Sequence, residues 1–534
     1  MPFATAHTVA LNGALGHLID VQADVSPGQV GVTVVGRADA ALREGQERVR
    51  MAVINSDLRW PTTKRTTILL SPADLPKSGT HFDLAIAVAV LAAAEKVEPV
   101  SLDRAAFVGE LTLSGGLRPA VGVLPMVLAA AERGIRRVFV PEPQEPEARM
   151  VPGMEVIGVR SLGQVVAVLN DELLPDAPPV AAASGTQLLG WRGAERLDEV
   201  DLADLDGLDE VKYALEVAAV GGHSLLLSGP KGAGKTSVAE RIPTILPPLT
   251  PEESLELTAV HSLAGTLDPA RGMITDPPYS APHHDASKAS IVGGGAGQVR
   301  PGEISRTHCG VLFLDEFPLF HADVIDALRQ PLESGDITVA RREESVTLPA
   351  RMMLVLAANP CPCGNYSTRV GEDRCECLEP VRRRYRAKVS GPVTDRIDIS
   401  RHLVPVRGAR DDPWRPTETS AEVRERVTAA RLRQSERFTD RSWRLNSQIP
   451  GARLKDTWPV TRDAQRLVDE ACYRGRLTGR GAVRVARLAW SIADLASVRS
   501  GADVVPGVDE VALALRLRGG DPLDMRLARL EQAG

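Results

Sequence analysis

The segment from 229 to 236, which reads GPKGAGKT, has the residue types needed to hold a phosphate chain. Its glycines let backbone N–H groups turn inward around phosphate oxygens, and the positive end of a following helix adds favourable potential. The ammonium of Lys235 can reach the β and γ oxygens, and the hydroxyl of Thr236 can ligate magnesium. A glycine-rich turn that only caps a helix is the alternative. The predicted phosphate-binding residues are Gly229, Pro230, Lys231, Gly232, Ala233, Gly234, Lys235 and Thr236.

An acidic pair, Asp315 and Glu316, follows the apolar run from Val311 to Leu314. Beside a phosphate loop, Asp315 would hold magnesium through water, and Glu316 would polarise the attacking water as general base. A further apolar run ends in Asn359, whose amide could orient that water or sense the γ-phosphate. A turn-forming asparagine before Pro360 is the alternative. Together these residues predict an ATP hydrolase that uses ATP and Mg²⁺.

Four cysteines form two C-x-C pairs. They are Cys361, Cys363, Cys375 and Cys377. Such a cluster in a cytosolic chain favours metal binding over disulfides, and four thiolates suit a closed tetrahedral Zn²⁺ site. C-x-C spacing is less diagnostic than C-x₂-C, so free reduced thiols stay open as the alternative.

Other residues with ligand chemistry are predicted to be structural. Cys309 and Cys472 have no partner in spacing and are expected to be small core residues. The pair His283 and His284 lacks the i, i+4 spacing of a helical metal pair, so it is expected to be scaffold beside the nucleotide.

Three regions must position these groups. Residues 1–170 alternate β-branched and Ala-rich segments, which predicts a self-contained α/β domain, and residues 171–200 have the composition of a linker. Residues 201–406 alternate strand-like runs with helical stretches, as in an α/β unit with a parallel sheet. Residues 407–534 are Arg- and Ala-rich and predict a helical C-terminal domain. The expected fold class is therefore a multidomain α/β protein with a helical lid.

Composition sets broad limits on function. The 534 residues are 43% hydrophobic and 25% charged, which argues against wholesale disorder or a fibrous repeat. The net charge of -6 means that attraction to nucleic acid must come from local basic surface. The longest apolar run, from 84 to 94, is shorter than the ~20 residues of a membrane-spanning helix. With no secretory signal apparent, a cytoplasmic protein without membrane association is expected.

Longer motifs carry a resemblance to a known family. They are GPKGAGKT, APHHDASKASIVGGG at 281–295, GVLFLDE at 310–316, LAANPCPCG at 356–364 and SGPVTDRIDI at 390–399. These segments resemble the AAA+ ATPases, and within them the magnesium-chelatase-like group of the YifB/ComM type, over nearly the whole chain. The resemblance includes the four cysteines. It implies a homo-oligomer, expected to be a hexameric ring, that couples ATP hydrolysis to translocation or branch migration on single-stranded or branched DNA, a helicase-like role in recombination or natural transformation.

Two arginines are assigned by this resemblance. In AAA+ rings an arginine of one subunit completes the neighbour's site by stabilising charge on the transferred phosphoryl group. Arg396 is the expected residue, and an ordinary ion pair with Asp395 or Asp398 is the alternative. A second sensing arginine is expected early in a lid helix, at Arg480, with Arg484 as the runner-up.

Basic segments are the candidate DNA contacts. The resemblance extends to MCM helicases in a β-hairpin before the Asn359 strand, where strand-like segments flank RREE at 341–344. Its tip could place Arg341 and Arg342 against a phosphate backbone in a ring pore, whereas a solvated, charge-balanced turn is equally consistent. The segment from Arg382 to Lys388 could also contact DNA or form a solvated face.

The N-terminal region resembles the Lon-protease-like domain, a ribosomal-protein-S5-type α/β fold. The resemblance is carried by PKSGTHFDLAIA at 76–87 and GELTLSGGLRPAVGVLP at 109–125. Such a protease needs a serine activated by a lysine. Here His81 occupies the serine position, and the lysine region reads VLPM from Val123 to Met126, so the domain is predicted to be catalytically inactive. It is expected to bind DNA or a partner, or to stabilise the ring.

Two other functions stay open. One is the ATPase subunit of a magnesium-chelatase-type metal insertion complex acting on a porphyrin. The N-terminal Lon-like domain argues against it, because such a subunit is not expected to carry that domain. The other is an AAA+ remodeller of a protein partner.

Overall fold

The computed structural model describes residues 3–35, 40–72, 75, 79–181, 200–295, 299–341, 344–366, 373–389, 393–404 and 417–525. For residues 40–44, 340, 341 and 344 only the backbone is described. Most of the predicted linker, Arg342 and the side chain of Arg341 therefore lie outside the described part of the chain.

The N-terminal domain is built on a seven-stranded mixed sheet of order β3-β4-β2-β1-β5-β8-β9, beside which a short pair, β6 and β7, is formed. The strands are β1 (Phe3–Asn12), β2 (Leu15–Ser26), β3 (Gly31–Val35), β4 (Arg65–Ser71), β5 (Ala105–Phe107), β6 (Glu110–Leu111), β7 (Leu117–Arg118), β8 (Arg137–Pro141) and β9 (Glu155–Val159). The helices are α1 (Ala40–Asn55), α2 (Asp83–Ala93), α3 (Val123–Glu132), α4 (Glu145–Ala148) and α5 (Leu162–Leu169). All residues of α2 are buried, as the apolar sequence after Asp83 predicts, and it packs against β1 and β2.

The central unit contains a five-stranded parallel sheet of order β11-β14-β17-β10-β18. The strands of this unit are β10 (Leu225–Ser228), β11 (Tyr279–Ser280), β12 (Gly293–Gly294), β13 (Arg300–Pro301), β14 (Val311–Leu314), β15 (Asp336–Arg341), β16 (Glu344–Pro349), β17 (Met353–Ala358) and β18 (Ile399–His402). Every residue of β14 and β17 is buried, which explains their continuous apolar runs. Because β10, β14 and β17 are adjacent and parallel, the loops that follow them meet at one edge, where such sheets bind ligands.

Helices cover this sheet and continue into the C-terminal region. Those of the central unit are α6 (Asp209–Gly221), α7 (Lys235–Ile245), α8 (Pro251–Ala264), α9 (Lys288–Val292), α10 (Glu303–Arg306), α11 (Ala322–Ala327), α12 (Arg329–Ser334) and α13 (Glu379–Val389). The C-terminal helices are α14 (Ser420–Arg437), α15 (Gly451–Asp456), α16 (Arg462–Tyr473), α17 (Gly479–Ser500) and α18 (Val508–Gly519). The mixed α/β class, the parallel sheet and the helical C-terminus are confirmed.

The N-terminal domain shares an apolar core with the central unit, a contact that the sequence pattern did not indicate. Ala259 of α8 packs into the same buried cluster as Val127 of α3. Beside it, the buried carboxylate of Glu147 accepts a hydrogen bond from the backbone N–H of Leu124 at 2.9 Å and another from the hydroxyl of Ser262. This arrangement fixes the first turn of α3 to α8.

Candidate nucleotide site

The phosphate-binding loop lies between β10 and α7, the strand, loop and helix order that its sequence predicts. Gly234 precedes α7 with a φ of 84°, a left-handed conformation that glycine adopts without steric cost. A Cβ on Gly229 would lie 2.4 Å from the carbonyl oxygen of Leu403, so the loop passes close to the end of β18. Backbone geometry, as well as phosphate chemistry, therefore requires glycine at these positions.

Lys235 is the centre of the site. Its Nζ donates to the carbonyl oxygens of Gly229 at 2.8 Å and Pro230 at 2.9 Å, and to Oδ1 of Asn359 at 2.9 Å. Burial lowers the pKa of Lys235, and the nearby carboxylates of Asp315 and Glu316 oppose that shift. The ammonium is thus a partly desolvated cation among oxygen acceptors, a place that the anionic oxygens of a triphosphate can fill.

The predicted magnesium ligands lie side by side. Thr236 Oγ1 donates to Oδ2 of Asp315 at 3.2 Å, and Oδ1 of Asp315 accepts from the backbone N–H of Glu316 at 2.8 Å. A hydroxyl and a carboxylate are oxygen donors of the kind that Mg²⁺ prefers, with its remaining positions filled by water and phosphate. The donor set therefore fits Mg²⁺ bound between these two side chains.

The predicted base and sensor are in direct contact. Nδ2 of Asn359 donates to Oε1 of Glu316 at 2.8 Å, while its Oδ1 accepts from Lys235. Glu316 has a φ of 48°, a conformation that non-glycine residues seldom adopt and that clusters at functional sites. The buried amide of Asn359 bridges two charged groups of the site, which a simple turn-forming role would not require.

The two predicted arginines meet at a carboxylate that the sequence did not single out, Glu333 of α12. Nε of Arg396 donates to Oε1 of Glu333 at 2.8 Å, and Nη2 of Arg480 lies 3.9 Å from the same oxygen. Arg396 ends the short 3₁₀ helix Thr394–Arg396, and Arg480 is in the first turn of α17. Nothing in sequence spacing indicates that these segments approach α12, because the contact is between distant parts of the chain.

Arg484, the runner-up, is in a different environment. Its Nη1 donates to Oδ1 of Asp398 at 2.6 Å, and the other carboxylate oxygen accepts from the backbone N–H of Ser224 at 3.2 Å. Burial opposes ionisation of Asp398, but His223 and Arg484 hold the pKa of that carboxyl below its ordinary value. Arg484 thus belongs to a buried pair that joins α17 to the start of β10, whereas the Arg480 side chain is 65% exposed.

Comparisons with known proteins agree with this geometry. Three family models match: "Magnesium chelatase, subunit ChlI" at 201–410, "Subunit ChlI of Mg-chelatase" at 21–144 and "Magnesium chelatase, subunit ChlI C-terminal" at 417–518. An uncharacterized protein of Mycobacterium tuberculosis is 42% identical over 525 residues, 97% of this chain and 99% of that protein. YifB of Escherichia coli is 38% identical and competence protein ComM of Haemophilus influenzae 36% identical, each over 498 residues, 93% of this chain and 94% of the relative.

The chain belongs to the YifB/ComM family of magnesium-chelatase-like proteins. It is therefore an AAA+ ATPase, and the family implies ATP and Mg²⁺ as its nucleotide and metal. A weaker likeness connects it to Lon protease 2 of Bacillus subtilis, 24% identical over 178 residues, 30% of this chain and 31% of that protein. Within the described ranges, every helix is too short or too polar to cross a membrane.

This YifB/ComM-type chain brings its four clustered cysteines together. The Sγ atoms of Cys361 and Cys363 are 3.2 Å apart, Cys363 and Cys375 are 3.6 Å apart, and all four sulfurs lie within 4.8 Å of one another. A tetrahedral Zn²⁺ with bonds of about 2.3 Å would separate its sulfurs by about 3.8 Å. The donor set therefore fits Zn²⁺. The backbone N–H of Asn365 and the neighbouring thiols lower the pKa of Cys363 to about 6, which favours the thiolate.

The other residues with ligand chemistry, predicted to be structural, lie apart from the cysteine cluster. Cys309 and Cys472 are half-buried, each away from the cluster. The ring centroids of His283 and His284 are 4.1 Å apart with their planes tilted by 35°, and both rings lie near Asp285, but His283 is largely exposed.

The predicted DNA contacts are partly described. β15 and β16 form the expected antiparallel hairpin, in which Arg341 pairs in register with Glu344. On α13, the side chains of Arg383, Arg384 and Arg386 are exposed.

The N-terminal segments predicted to correspond to the protease dyad are buried. His81 is buried, and its Nε2 is 3.0 Å from the carbonyl oxygen of Val9. The segment from Val123 to Met126, the predicted lysine region, is buried in α3.

Proposed function

We propose that this AAA+ ATPase is a ring-forming motor that couples ATP hydrolysis to translocation along single-stranded or branched DNA, as in branch migration. The observation that supports it most directly is the basic face of α13, because its exposed arginines belong to a helix that contacts the catalytic loops. The neighbouring exposed side chains of Arg383 and Arg384 suit the sequence-independent phosphate contacts of a translocating motor. One relative is named a competence protein, which favours a role in recombination or natural transformation.

The ring is proposed from the position of two arginines. Arg396 and Arg480 lie at Glu333. In the nucleotide site, by contrast, Lys235 is bonded to Asn359, and Asn359 to Glu316. A concave surface of about 500 Å³ beside Arg396 is lined by further cations. They are Lys288 and Arg329, which are paired with the carboxylates of Asp323 and Asp326 respectively. Such a surface can receive the triphosphate of a neighbouring identical subunit, as a hexameric ring requires.

The cysteine cluster is proposed to hold one structural Zn²⁺. Four sulfurs at near-tetrahedral separations form a closed site with no open position for a substrate. When bound, the metal would join the two C-x-C pairs, one of which directly precedes α13.

The N-terminal domain is proposed to have the Lon-protease-like fold without peptidase activity. His81 stands at the serine position and the lysine region reads VLPM from Val123 to Met126, so neither the nucleophile nor the amine of that protease is supplied. Its shared core with α8 suits a scaffold that stabilises the subunit in the ring. ATP-stimulated peptide cleavage abolished by a substitution in this domain would contradict the proposal.

A second candidate is the ATPase of a metal insertion complex, because the three matching family models describe subunit ChlI of magnesium chelatase. The same nucleotide site serves either function. One experiment separates them: the ATPase rate is measured alone and with single-stranded, duplex or branched DNA, alongside displacement of a labelled strand. The motor function predicts that DNA raises the ATPase rate and that the labelled strand is displaced. A rate unchanged by all three DNAs, with no displacement, would defeat it.

The basic face of α13 has its own matched comparison. Arg383→Ala with Arg384→Ala should weaken DNA stimulation, whereas Arg474→Ala, an exposed arginine just beyond α16, should leave it intact. Equal DNA stimulation in both variants would remove α13 from the proposed DNA path.

A further inference from the structure

Helix α13 contacts the turn that carries the catalytic base. Nζ of Lys388 donates to the carbonyl oxygen of Pro318 at 2.8 Å. Pro318 lies in the 3₁₀ helix Phe317–Leu319, which begins directly after Glu316, and α13 packs against this short helix. Because Glu316 has a left-handed backbone, the turn after it needs outside support to keep its conformation.

The same helix approaches the sensor residue. Tyr385 is the buried residue of α13, and its side chain lies close enough to Asn359, Glu316 and Asp315 for all three to influence its pKa. Burial raises the pKa of Tyr385 to about 12, the N–H of Asn359 opposes that rise, and the charges of Glu316 and Asp315 add to it. The hydroxyl is therefore neutral, and it lies near Asn359, the residue that follows β17.

The segment 361–366, here called the cysteine loop, contacts the phosphate-binding loop, the remaining part of the nucleotide site. A Cβ on Gly364 would lie 2.6 Å from Cγ of Lys231, so this loop packs directly on the phosphate-binding loop. The guanidinium groups of Arg382 and Arg386 lie 4.7 and 4.5 Å from the ring centroid of Tyr366, within the range of cation–π attraction. These contacts join the cysteine loop to α13.

We propose that α13 and the cysteine loop form a clamp on the nucleotide site, in which Tyr385 and Lys388 are positioning residues for ATP hydrolysis. Tyr385 holds the end of β17 and thereby the amide of Asn359. Lys388 holds the turn after Glu316. The proposal rests on ATP hydrolysis at this site and does not depend on movement along DNA.

The test compares Tyr385→Phe and Lys388→Met with matched changes at exposed positions, Tyr473→Phe and Lys455→Met. ATP turnover is measured without DNA, and affinity is measured with a fluorescent ATP analogue. Because the clamp orients groups that act in the transition state, kcat should fall about tenfold in the first pair. KM for ATP and affinity for the analogue should stay within about twofold, since phosphate binding depends on Lys235 and the loop. Lys388→Arg, which keeps a donor, should recover most of the lost kcat.

Two results would overturn the clamp. The first is a kcat equal to that of wild type in both Tyr385→Phe and Lys388→Met. The second is a loss of kcat that is accompanied by a lower melting temperature and that Lys388→Arg does not recover. DNA stimulation is measured on the same preparations. If wild-type protein hydrolyses ATP at a rate that DNA does not change, the motor function is contradicted. The clamp is still tested in that case, because its measurement is kcat without DNA.

Discussion

The amide of Asn359 donates to the carboxylate of Glu316 at 2.8 Å, so the predicted sensor holds the predicted base in the nucleotide site. The other end of the same amide accepts from Lys235, the residue expected to contact the γ-phosphate. A change at the phosphates can therefore reach the base through one side chain. This relationship leads to the first two predictions.

Glu316→Gln should retain ATP and stop hydrolysis. The amide keeps the size of the side chain and can still bond Asn359, but it cannot accept a proton from water. We expect kcat to fall by about 10² to 10⁴, as for the loss of a general base, while a fluorescent ATP analogue binds as in wild type. Lys235→Ala is the comparison, since it should lose nucleotide binding. Normal hydrolysis by Glu316→Gln would show that another group is the base.

Asn359→Ala should lower kcat by about tenfold or more, because the base and the lysine lose their shared neutral partner. Asn359→Asp should be at least as damaging, since it places a second carboxylate against Glu316. Steady-state turnover over a range of ATP concentrations checks both variants. An unchanged kcat in both would assign Asn359 to the turn before Pro360.

Arg396→Ala should be complemented in mixed rings. Such a subunit keeps its own catalytic loops but cannot complete its neighbour's site, whereas a Glu316→Gln subunit lacks a base but retains Arg396. Each variant alone should be nearly inactive. Glu316→Gln lacks the base, and the arginine lost in Arg396→Ala is of a kind that contributes about 10³ to 10⁵ in rate. Mixing them should restore a fraction of wild-type ATPase. A mixture no more active than its parts would place Arg396 in its own subunit's site or outside catalysis.

Arg484→Met should destabilise the protein through Asp398. Removing one partner of a buried ion pair costs about 3–5 kcal/mol in the free energy of unfolding. Arg480→Met, on the same helix but exposed, should leave the melting temperature nearly unchanged.

The pH dependence has a defined sign. The folded-state pKa of Asp398 is lowered, so its stabilising contribution is complete above the ordinary value of 3.8 and is lost as pH falls below it. Unfolding measured between pH 3 and 7 should show a steeper acid loss in wild type than in Asp398→Asn. Parallel profiles would mean that the buried pair does not set this dependence.

The cysteine cluster should bind about one Zn²⁺ per chain. Elemental analysis of purified protein should detect it, and Cys361→Ser with Cys363→Ser should lose it. Cys472→Ser is the control, because that residue lies outside the cluster. Zinc absent from wild type, or retained by the double variant, would contradict a four-cysteine metal site.

Much of the nucleotide site could be predicted from sequence because its parts are local. A glycine-rich loop after an apolar run, an acidic pair after another and an asparagine after a third each define a short segment. Parallel strand order then brings their ends to one edge. Glu333, Tyr385 and Lys388 could not be identified in this way, since exposed glutamates and basic helices occur throughout proteins and only their distant contacts distinguish them.

The sequence by itself determined the ATP chemistry and the four-cysteine set, because residue type and short spacing carry that information. Tertiary structure alone separated Arg480 from Arg484. Both are early in one helix, yet Arg484 faces the buried Asp398 and Arg480 remains exposed beside Glu333. The difference is physical: a guanidinium is held in the interior only where a carboxylate from another segment offsets its desolvation, and that partner is set by packing rather than by spacing.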